Sequence, residues 1–337
     1  GQKYCADHDV DQGIKSCVGT GGQALNAWHT PATVELGGVP MRSPLLPTSA
    51  SATVSVYFGV TSKQALGGRL HWKWSSDAAY QVASFSLKAT QSNSDYWSAS
   101  FALPNKNVGI FQYYIEVTPT DTKSYLPTFL YGSDSASTKA TSEAAAIAAP
   151  YLPTVRLPAK GEVVISEVMI NARNITASEG DSEWFEVYNK ASQPISLSTC
   201  IISDATVGNA HTISDQFLVL WPGAYGVLGA SMDAVKMDGF LPDYAYGTSI
   251  MFGNSSADWF QIGLPGVVGD ASTLLDRVSW TSSDKEGTSV QLKATKMNDA
   301  DNDVVNIAMD GNWCRSTKTY PTANMSFGTP KAGPDCP

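Results

Sequence analysis

Three aspartates near the start of the chain have a spacing that could bind a cation. Asp7, Asp9 and Asp11 alternate with other residues, and Gly13 follows them. Hard cations such as calcium are held by several oxygen atoms that converge from a tight loop, and alternating carboxylates supply such oxygens. The segment is therefore a candidate calcium site, although its acidic residues are more typical of a solvated segment that binds no metal.

The details of this spacing depart from known calcium loops. It is similar to the loops of EF-hands and thrombospondin-type repeats, but Gly13 holds the seventh loop position instead of the sixth. The twelfth position is Val18, where an EF-hand has a glutamate. A second alternating run lacks a glycine and is the lesser metal candidate; it consists of Asp299, Asp301 and Asp303. We therefore expect either no cofactor or calcium alone.

One serine lies in a motif that could carry nucleophilic catalysis. Gly180-Asp181-Ser182 is similar to the GDS of lipases and esterases, in which the serine follows a strand and a downstream Asp-x-x-His supplies the base. Here the serine precedes an apolar, strand-like segment. The chain has four histidines, and none has an aspartate three residues before it: His8, His29, His71 and His211. Because this serine would have no base, we expect no serine catalysis.

Three glutamates could be considered as the carboxylate pair of a glycosidase. Such enzymes place two carboxyl groups on either side of the scissile bond. Glu167, Glu183 and Glu186 lie within or beside predicted strands. Structural carboxylates that accept hydrogen bonds, or charges at a strand edge, are the favoured interpretation. No HExxH motif or paired-histidine metal site is present either, so the sequence predicts no enzymatic activity.

These residues lie in a segment with a clear strand pattern, from Gly161 to Asp204. Residues 163–170 are apolar except for Ser166 and Glu167, which indicates a strand buried on both faces. Residues 183–189 alternate, as a strand of a sandwich does. A polar loop separates the two strands, and a third strand is predicted over 195–202.

Several segments resemble, in the right order, the lamin-tail domain of nuclear lamins and many secreted bacterial proteins. They are VVISEVMINA, SEWFEVYNKASQPISLSTCIISD, WPGAYGVLG, DYAYGTSIMFGNSSADWFQI, GTSVQLK, NWCRS and FGTPKAGPDC. The resemblance covers about residues 160–337 and implies an immunoglobulin-like β-sandwich. It places the three glutamates in the strand signature of the fold. It does not imply a function, because such a sandwich is a scaffold for many binding roles, and no heptad repeat supports filament formation.

The first half of the chain also has the pattern of a β-sandwich. Alternating apolar residues predict strands around 52–60, 70–74, 97–103 and 111–117, with Gly- and Pro-containing turns between them. The segment FQYYIEVTPTD is similar to a strand of immunoglobulin- or fibronectin-III-like modules. Trp72 and Trp74 share a face with Leu70, so we expect both to be buried.

The sequence therefore predicts an all-β protein with two immunoglobulin-like β-sandwich domains joined by a linker rich in Ser, Ala and Pro. The predicted parts are a Gly- and Asp-rich segment over 1–34, a sandwich over 35–132, the linker over 133–160 and the lamin-tail-like sandwich over 161–337. Later strands of the second sandwich are expected over 217–221, 225–229, 257–262, 274–280 and 287–293.

Charge and cysteine content restrict the compartment and the partners. The 337-residue chain has a net charge of −9, which argues against binding to a nucleic-acid backbone. No apolar run is long enough for a transmembrane helix. Five cysteines without a CxxC motif favour disulfides in an oxidising compartment. We expect the pairs Cys314–Cys336 and Cys5–Cys17, with Cys200 as a buried free thiol.

The function predicted from these observations is that of a non-catalytic binding or adhesion protein, secreted or at the cell envelope. Its partner would be a cell-surface or extracellular protein or a glycan. Exposed aromatic side chains are the candidate contacts: Tyr244, Tyr246 and Trp259 in the second sandwich, and Tyr96 and Tyr114 in the first. Burial in the core is the alternative. The alternative function is the accessory region of a secreted nuclease or hydrolase whose catalytic domain lies elsewhere.

Calcium binding at Asp7, Asp9 and Asp11 can be tested directly. Three carboxylates within five residues repel one another, and a bound divalent ion relieves that repulsion. Titration calorimetry of the intact protein should show one weak calcium site, which Asp9→Ala abolishes. If calcium produces no heat and a chelator leaves the melting temperature unchanged, the site does not exist.

Overall fold

The computed structural model describes residues 23–29, 34–36, 39–41, 53–91, 93–133, 136–173, 179–206, 208–253, 257–268, 270–281, 285–302, 311–320 and 326–336. The chain forms two compact units. The first unit ends at Thr154 and the second begins at Val155 and also includes Asn105–Ile110. Asp7, Asp9, Asp11, Cys5 and Cys17 lie outside the described residues.

The first unit consists of β-strands and one short helix. Its strands are β1 (Ala27–His29), β2 (Val34–Leu36), β3 (Val39–Met41), β4 (Thr53–Thr61), β5 (Ala65–Trp74), β6 (Gln81–Ser84), β7 (Ser86–Gln91), β8 (Ser94–Ala102), β9 (Phe111–Pro119), β10 (Thr128–Ser133) and β11 (Ala136–Ala140). One sheet has the order β1-β4-β8-β7 and the other β11-β10-β9-β5-β6. β2 and β3 pair with each other.

Alternation of apolar residues builds the core of the first unit. In β4, every second side chain from Val54 to Val60 is buried. Trp72 and Trp74 of β5 are buried as predicted, and the Trp72 ring stacks on Phe101 of β8 at 4.2 Å between centroids. The face predicted to be the core from the sequence is thus the face that the structure buries.

Residues 133–160 contain more structure than the flexible linker that their composition predicts. β10 and β11 form a hairpin, in which Phe129 lies opposite Ala140. Helix α1 (Glu143–Ala148) follows, and its Ala146 is buried against Tyr114 and Phe129. Tyr151 then pairs through its backbone with Tyr113 of β9. Packing against the sheet stabilises a helix that would be too short to form alone.

The second unit is also built from strands. They are β12 (Val163–Met169), β13 (Trp184–Asn189), β14 (Ile195–Ser196), β15 (Ile201–Asp204), β16 (Ala210–Thr212), β17 (Val219–Leu220), β18 (Tyr225–Gly229), β19 (Tyr244–Ala245), β20 (Asp258–Gly263), β21 (Leu274–Trp280), β22 (Val290–Leu292) and β23 (Trp313–Arg315). Short 3-10 helices span Glu179–Ser182 and Ala294–Lys296.

Three sheets organise these strands. The largest has the order β19-β18-β13-β12-β22-β23, the second β16-β15-β20-β21, and β14 pairs with β17. A cluster of buried apolar side chains includes Phe185 of β13 and Phe260 of β20, whose rings are 4.0 Å apart. The prediction of an all-β, immunoglobulin-like fold is confirmed.

β12 is the central strand of the large sheet, and all seven of its residues are buried. A bulge between Ile165 and Glu167 interrupts its pairing with β13. Next to the bulge, the amide N–H of Ile165 donates to Oδ2 of Asp276 on β21 at 2.6 Å. Asn302 also donates to this oxygen. A buried carboxylate thus satisfies the irregular part of the strand.

Residues 326–336, here called the C-terminal strap, pack on the large sheet. Thr329 and Ser326 of the strap are buried. A disulfide joins Cys314 of β23 to Cys336 at the end of the strap, as the sequence predicted. Cys200 is free and buried, and burial raises the pKa of its thiol to about 12. No helix in the described part of the chain is long and apolar enough to cross a membrane.

Removal of the Cys314–Cys336 disulfide should destabilise the second unit. The bond closes a loop with a sequence separation of 22 residues. Loop-closure entropy predicts that Cys314→Ser/Cys336→Ser lowers the free energy of unfolding by about 3 kcal/mol. Urea unfolding without reductant, followed by tryptophan fluorescence, measures this difference. An unchanged unfolding midpoint would contradict the prediction, and peptide mapping that links Cys200 to Cys314 would contradict the pairing.

Candidate functional site

Two of the aromatic residues predicted to be exposed in the second unit are buried instead. Tyr246 is 2% exposed, stacks near Phe185 and donates its hydroxyl hydrogen to the Glu183 carbonyl at 3.2 Å. The Tyr244 hydroxyl lies 2.6 Å from Nε2 of His211. Both rings belong to the main apolar cluster because β19 pairs with β18 and turns them inward. The prediction that they are exposed anchors was wrong.

In the first unit, Tyr114 is also buried and Tyr96 is half-buried. Tyr114 does lie on the outward face of β9, as alternation predicted, but helix α1 covers it. Its hydroxyl donates to Oε1 of Glu143 at 2.7 Å, and His71 stacks on its ring at 4.5 Å. Tyr96 packs edge to face with Trp28 at 6.2 Å. The prediction that Tyr114 is exposed was wrong, because alternation along β9 does not show that a helix covers this ring.

Trp259 of β20 is the predicted anchor of the second unit that remains half-exposed. The guanidinium carbon of Arg277 lies 4.6 Å from the centre of its ring, and the same guanidinium donates through Nε and Nη2 to Oε1 of Gln261, at 3.0 and 2.5 Å. Trp259 and Gln261 lie two residues apart on one face of β20, and Arg277 is opposite Gln261 on β21. The arginine thus holds the indole on the outer face of this sheet.

The indole borders a cleft of about 350 Å³. The lining combines Trp259 with the β15–β16 turn and one apolar residue of the β20–β21 loop: Asp204, Ala205, Thr206, Gly208, Asn209, Ala210 and Val268. Val268 is exposed, as is Met251, whose amide donates to Asp204 at 3.2 Å. A concave surface with an aromatic wall and a few polar groups has the composition of a ligand site.

Asp204 organises the turn that forms the rim of the cleft. Its Oδ1 accepts the amide N–H of Thr206 at 2.8 Å, and its Oδ2 accepts Nδ2 of Asn209 at 3.0 Å. Asp258 accepts the amide N–H groups of Gly253 and Trp259. Because carboxylates bind the backbone on both sides of the cleft, the rim is held in place before any ligand arrives.

Residues 157–312 match the family model described as "Lamin Tail Domain". This part of the chain is therefore similar to the Lamin Tail Domain family. The resemblance found in the sequence is therefore confirmed, and the Trp259 cleft lies within the matched residues. A search of curated proteins returns no match.

Similarity to solved structures is remote. A DUF4876 family protein from Bacteroides thetaiotaomicron VPI-5482 is 11% identical, with a TM-score of 0.30 over 76% of this chain and 90% of that one. An uncharacterised Listeria monocytogenes EGD-e protein, in complex with glucose, magnesium and calcium, is 11% identical and has a TM-score of 0.27. The match covers 80% of this chain and 23% of that protein. A cyclomaltodextrinase is 11% identical and has a TM-score of 0.25, and the match covers 32% of this chain and 17% of that protein. This chain thus spans less than a quarter of the last two proteins.

In the second unit, the candidate catalytic residues have structural partners. Ser182 donates its hydroxyl hydrogen to the Lys236 carbonyl at 2.5 Å. Glu183 accepts the Phe252 amide N–H at 2.9 Å, and Glu167 and Glu186 are 1% exposed. Groups without access to solvent cannot reach a substrate in this conformation. The structural interpretation of these carboxylates therefore agrees with their contacts.

The second metal candidate has partners of a different kind. Asp301 accepts Nδ2 of Asn298 at 2.8 Å and lies 3.6 Å from Nζ of Lys296, a cation that would compete with a metal ion. Asp299 lies close to Gly161, and Asp303 is outside the described residues. Within the part of the chain that is described, no three His, Cys, Asp or Glu side chains converge on a metal position.

Loss of the Asp204 carboxylate should loosen the rim of the cleft. Asp204→Ala removes the acceptor of three hydrogen bonds, from Thr206, Asn209 and Met251, and should lower the free energy of unfolding by about 1–3 kcal/mol. Hydrogen exchange should accelerate at residues 205–210.

Asp215→Ala is the matched control. Asp215 accepts the Phe217 amide N–H in a similar local turn, but it does not line the cleft. The control should leave exchange at 205–210 unchanged. Equal acceleration in both variants would show that Asp204 has no special role in the rim.

Proposed function

We propose that this chain is a non-catalytic binding protein of the cell exterior or envelope, and that the Trp259 cleft binds its ligand. The observation that carries the proposal is the half-exposed indole of Trp259, held by Arg277 beside a concave and partly polar surface. Aromatic residues with a rigid position and partial exposure are typical anchors of binding sites. An immunoglobulin-like sandwich commonly presents such a site in its loops.

The chemistry of the cleft favours a sugar ring of a glycan as the ligand. An indole offers a flat apolar surface on which the C–H groups of a sugar can pack. Thr206 and Asn209 place a hydroxyl and an amide group on the rim, where they can exchange hydrogen bonds with sugar hydroxyls. The volume of about 350 Å³ is at the small end of ligand pockets, which suits one or two sugar residues.

The proposed compartment rests on the disulfide. Disulfides persist in oxidising compartments and are rare in the cytosol, and Cys314–Cys336 is such a bond. The net charge of −9 supports a glycan or protein partner over a nucleic acid. Absence of turnover is proposed because the candidate nucleophile, Ser182, and the candidate carboxylates are engaged in buried contacts.

Substitution of Trp259 should weaken glycan binding. Purified full-length protein would be screened on a glycan array, and the affinity of the best glycan measured by calorimetry. Trp259→Ala should weaken binding at least about tenfold, because removal of an aromatic anchor commonly costs more than 1.4 kcal/mol. The same preparations would be incubated with polysaccharide, nucleic-acid, peptide and ester substrates, and we expect no turnover.

Trp28→Ala is the matched control for this experiment. Trp28 is a half-exposed tryptophan of the first unit that packs on Tyr96, so the variant removes the same side chain from another surface. It should bind like the wild type. Loss of binding in Trp28→Ala and not in Trp259→Ala would move the site to the first unit. Binding only to a surface protein would contradict the glycan assignment, and turnover abolished by one substitution would contradict the non-catalytic role.

A further inference from the structure

Two glutamates lie side by side inside the lamin tail domain. Glu167 of β12 and Glu186 of β13 are direct partners in the strand register, and each is only 1% exposed. The neighbouring register pair on the same face, Met169 and Trp184, belongs to a second apolar cluster. The carboxylates therefore lie on the face of the large sheet that is covered by other parts of the chain, without access to bulk water.

The C-terminal strap provides much of this cover and binds both carboxylates through its backbone. The amide N–H of Thr329 donates to Oε1 of Glu167 at 2.9 Å, and the amide N–H of Lys331 donates to Oε2 of Glu186 at 2.7 Å. The backbone is very close here, since a Cβ on Gly328 would lie 3.0 Å from Oε1 of Glu167. Docking of the strap and the state of the two carboxylates are thus physically linked.

The other donors to the pair are uncharged, and they comprise hydroxyl groups and the side-chain amide of Gln291 beside Glu167. Glu167 accepts hydrogen bonds from the hydroxyls of Thr329, at 2.9 Å, and Ser289. Glu186 accepts one from the hydroxyl of Ser166 at 3.0 Å. Ionisation of two adjacent buried carboxyl groups with only neutral donors costs much free energy, because the repulsion between the two charges is weakly screened. Burial raises the pKa of both carboxyls, and the neighbouring Glu167 raises the pKa of Glu186 further.

Charged and titratable groups around the pair add little compensation. The carboxylate of Asp243 raises the pKa of Glu186 further. Two tyrosine hydroxyls also interact with the pair: Tyr225 with Glu186, and Tyr320 with Glu167. The ammonium group of Lys331 is the nearby cation among the described residues, and its Nζ is 2.8 Å from Oδ1 of Asp243. It thus offsets the charge of Asp243, and no ion pair is formed with Glu167 or Glu186 by the residues that the structure describes.

The hydrogen-bond pattern of Glu186 is compatible with a proton on its carboxyl group. A protonated Oε1 can donate to Oγ of Ser166, while Oε2 still accepts the Lys331 N–H. The Ser166 hydroxyl can then donate to the backbone carbonyl of Glu186 instead, at 3.3 Å. Protonation of Glu167 would displace more hydrogen bonds, because its Oε1 accepts from two donors and the Thr329 hydroxyl at its Oε2 already accepts from Nε2 of Gln291. The two carboxyls thus have different roles, with Glu167 as the anion and Glu186 as the proton carrier.

We propose that Glu167 and Glu186 form a proton-dependent latch that couples docking of the C-terminal strap to pH. With one proton on Glu186 the strap is held closed. Loss of this proton places two negative charges side by side under the strap and weakens its docking. The disulfide at Cys336 keeps the loosened strap attached to β23.

The direction of the pH dependence follows from the raised pKa of Glu186. A carboxyl whose pKa is higher in the docked state than in the open state, where it lies near 4.5, retains its proton preferentially when docked. This contribution to stability is complete below pH 4.5 and is lost as the pH rises through the docked-state pKa. Each unit of difference between the two pKa values changes the opening equilibrium about tenfold.

Native-state hydrogen exchange of the full chain tests the latch. Protection factors of the Thr329, Lys331 and Asp335 amides, corrected for the intrinsic pH dependence of exchange, should fall as the pH rises from 4.5 to 8 in the wild type. Glu186→Gln imitates the protonated carboxyl, since its amide can donate to Ser166 and accept from Lys331. Its strap protection should therefore be independent of pH and higher than that of the wild type at pH 8.

Two further variants separate the latch from a general effect on stability. Glu167→Gln presents an amide to donors and should reduce strap protection at every pH. Asp276→Asn removes another buried carboxyl, whose pKa burial raises to about 7, but which binds Ile165 and Asn302 and not the strap. It should change global stability and leave the pH dependence of the strap intact.

The latch can also be tested in the wild-type protein without any substitution. A carboxyl-carbon NMR titration of the wild type should show that Glu186 titrates above its usual range. A normal titration of Glu186, or identical pH dependence of strap protection in the wild type and Glu186→Gln, would overturn the latch.

Discussion

Burial of strand β12 on both faces imposes the main constraint on the second unit. The strand lies in the middle of the large sheet, and each of its seven residues is buried, including Ser166 and Glu167. A buried polar group without a partner costs about 1–3 kcal/mol, so each of these groups needs a partner inside the protein. Asp276 supplies one at the bulge, and Ser289 and the C-terminal strap supply others.

This constraint explains why distant parts of the chain meet at one strand. Asp276 comes from β21, Asn302 from a loop after β22, and Thr329 from the strap. Each contact has a separation in sequence of more than 100 residues from β12, and each satisfies a polar group that the central strand cannot expose. The carboxylates that resemble catalytic groups in the sequence are therefore part of the architecture, and burial raises the pKa of Glu167 and Glu186.

The candidate ligand site lies on the other large sheet of the domain, whose outer face is free of this constraint. There Arg277 and Gln261 fix the Trp259 indole, and Asp204 and Asp258 fix the backbone beside it. Most of these contacts are made by neighbouring strands and turns. A rigid scaffold thus supports a half-exposed aromatic ring on a surface where loops can vary, which is how immunoglobulin-like domains usually acquire binding functions.

The sequence by itself determined the strands and the family. Alternation of apolar residues predicted β4, β9 and β13 close to their observed bounds, because the side-chain period of two is a local property. β5 and β8 begin earlier than predicted, at Ala65 and Ser94. The order of the lamin-tail segments predicted the second fold. Only the tertiary structure decided which aromatic rings are exposed. Tyr114 is covered by helix α1, and Tyr244 and Tyr246 are turned inward by pairing of β19 with β18. Such cover comes from contacts between segments, which no local pattern encodes.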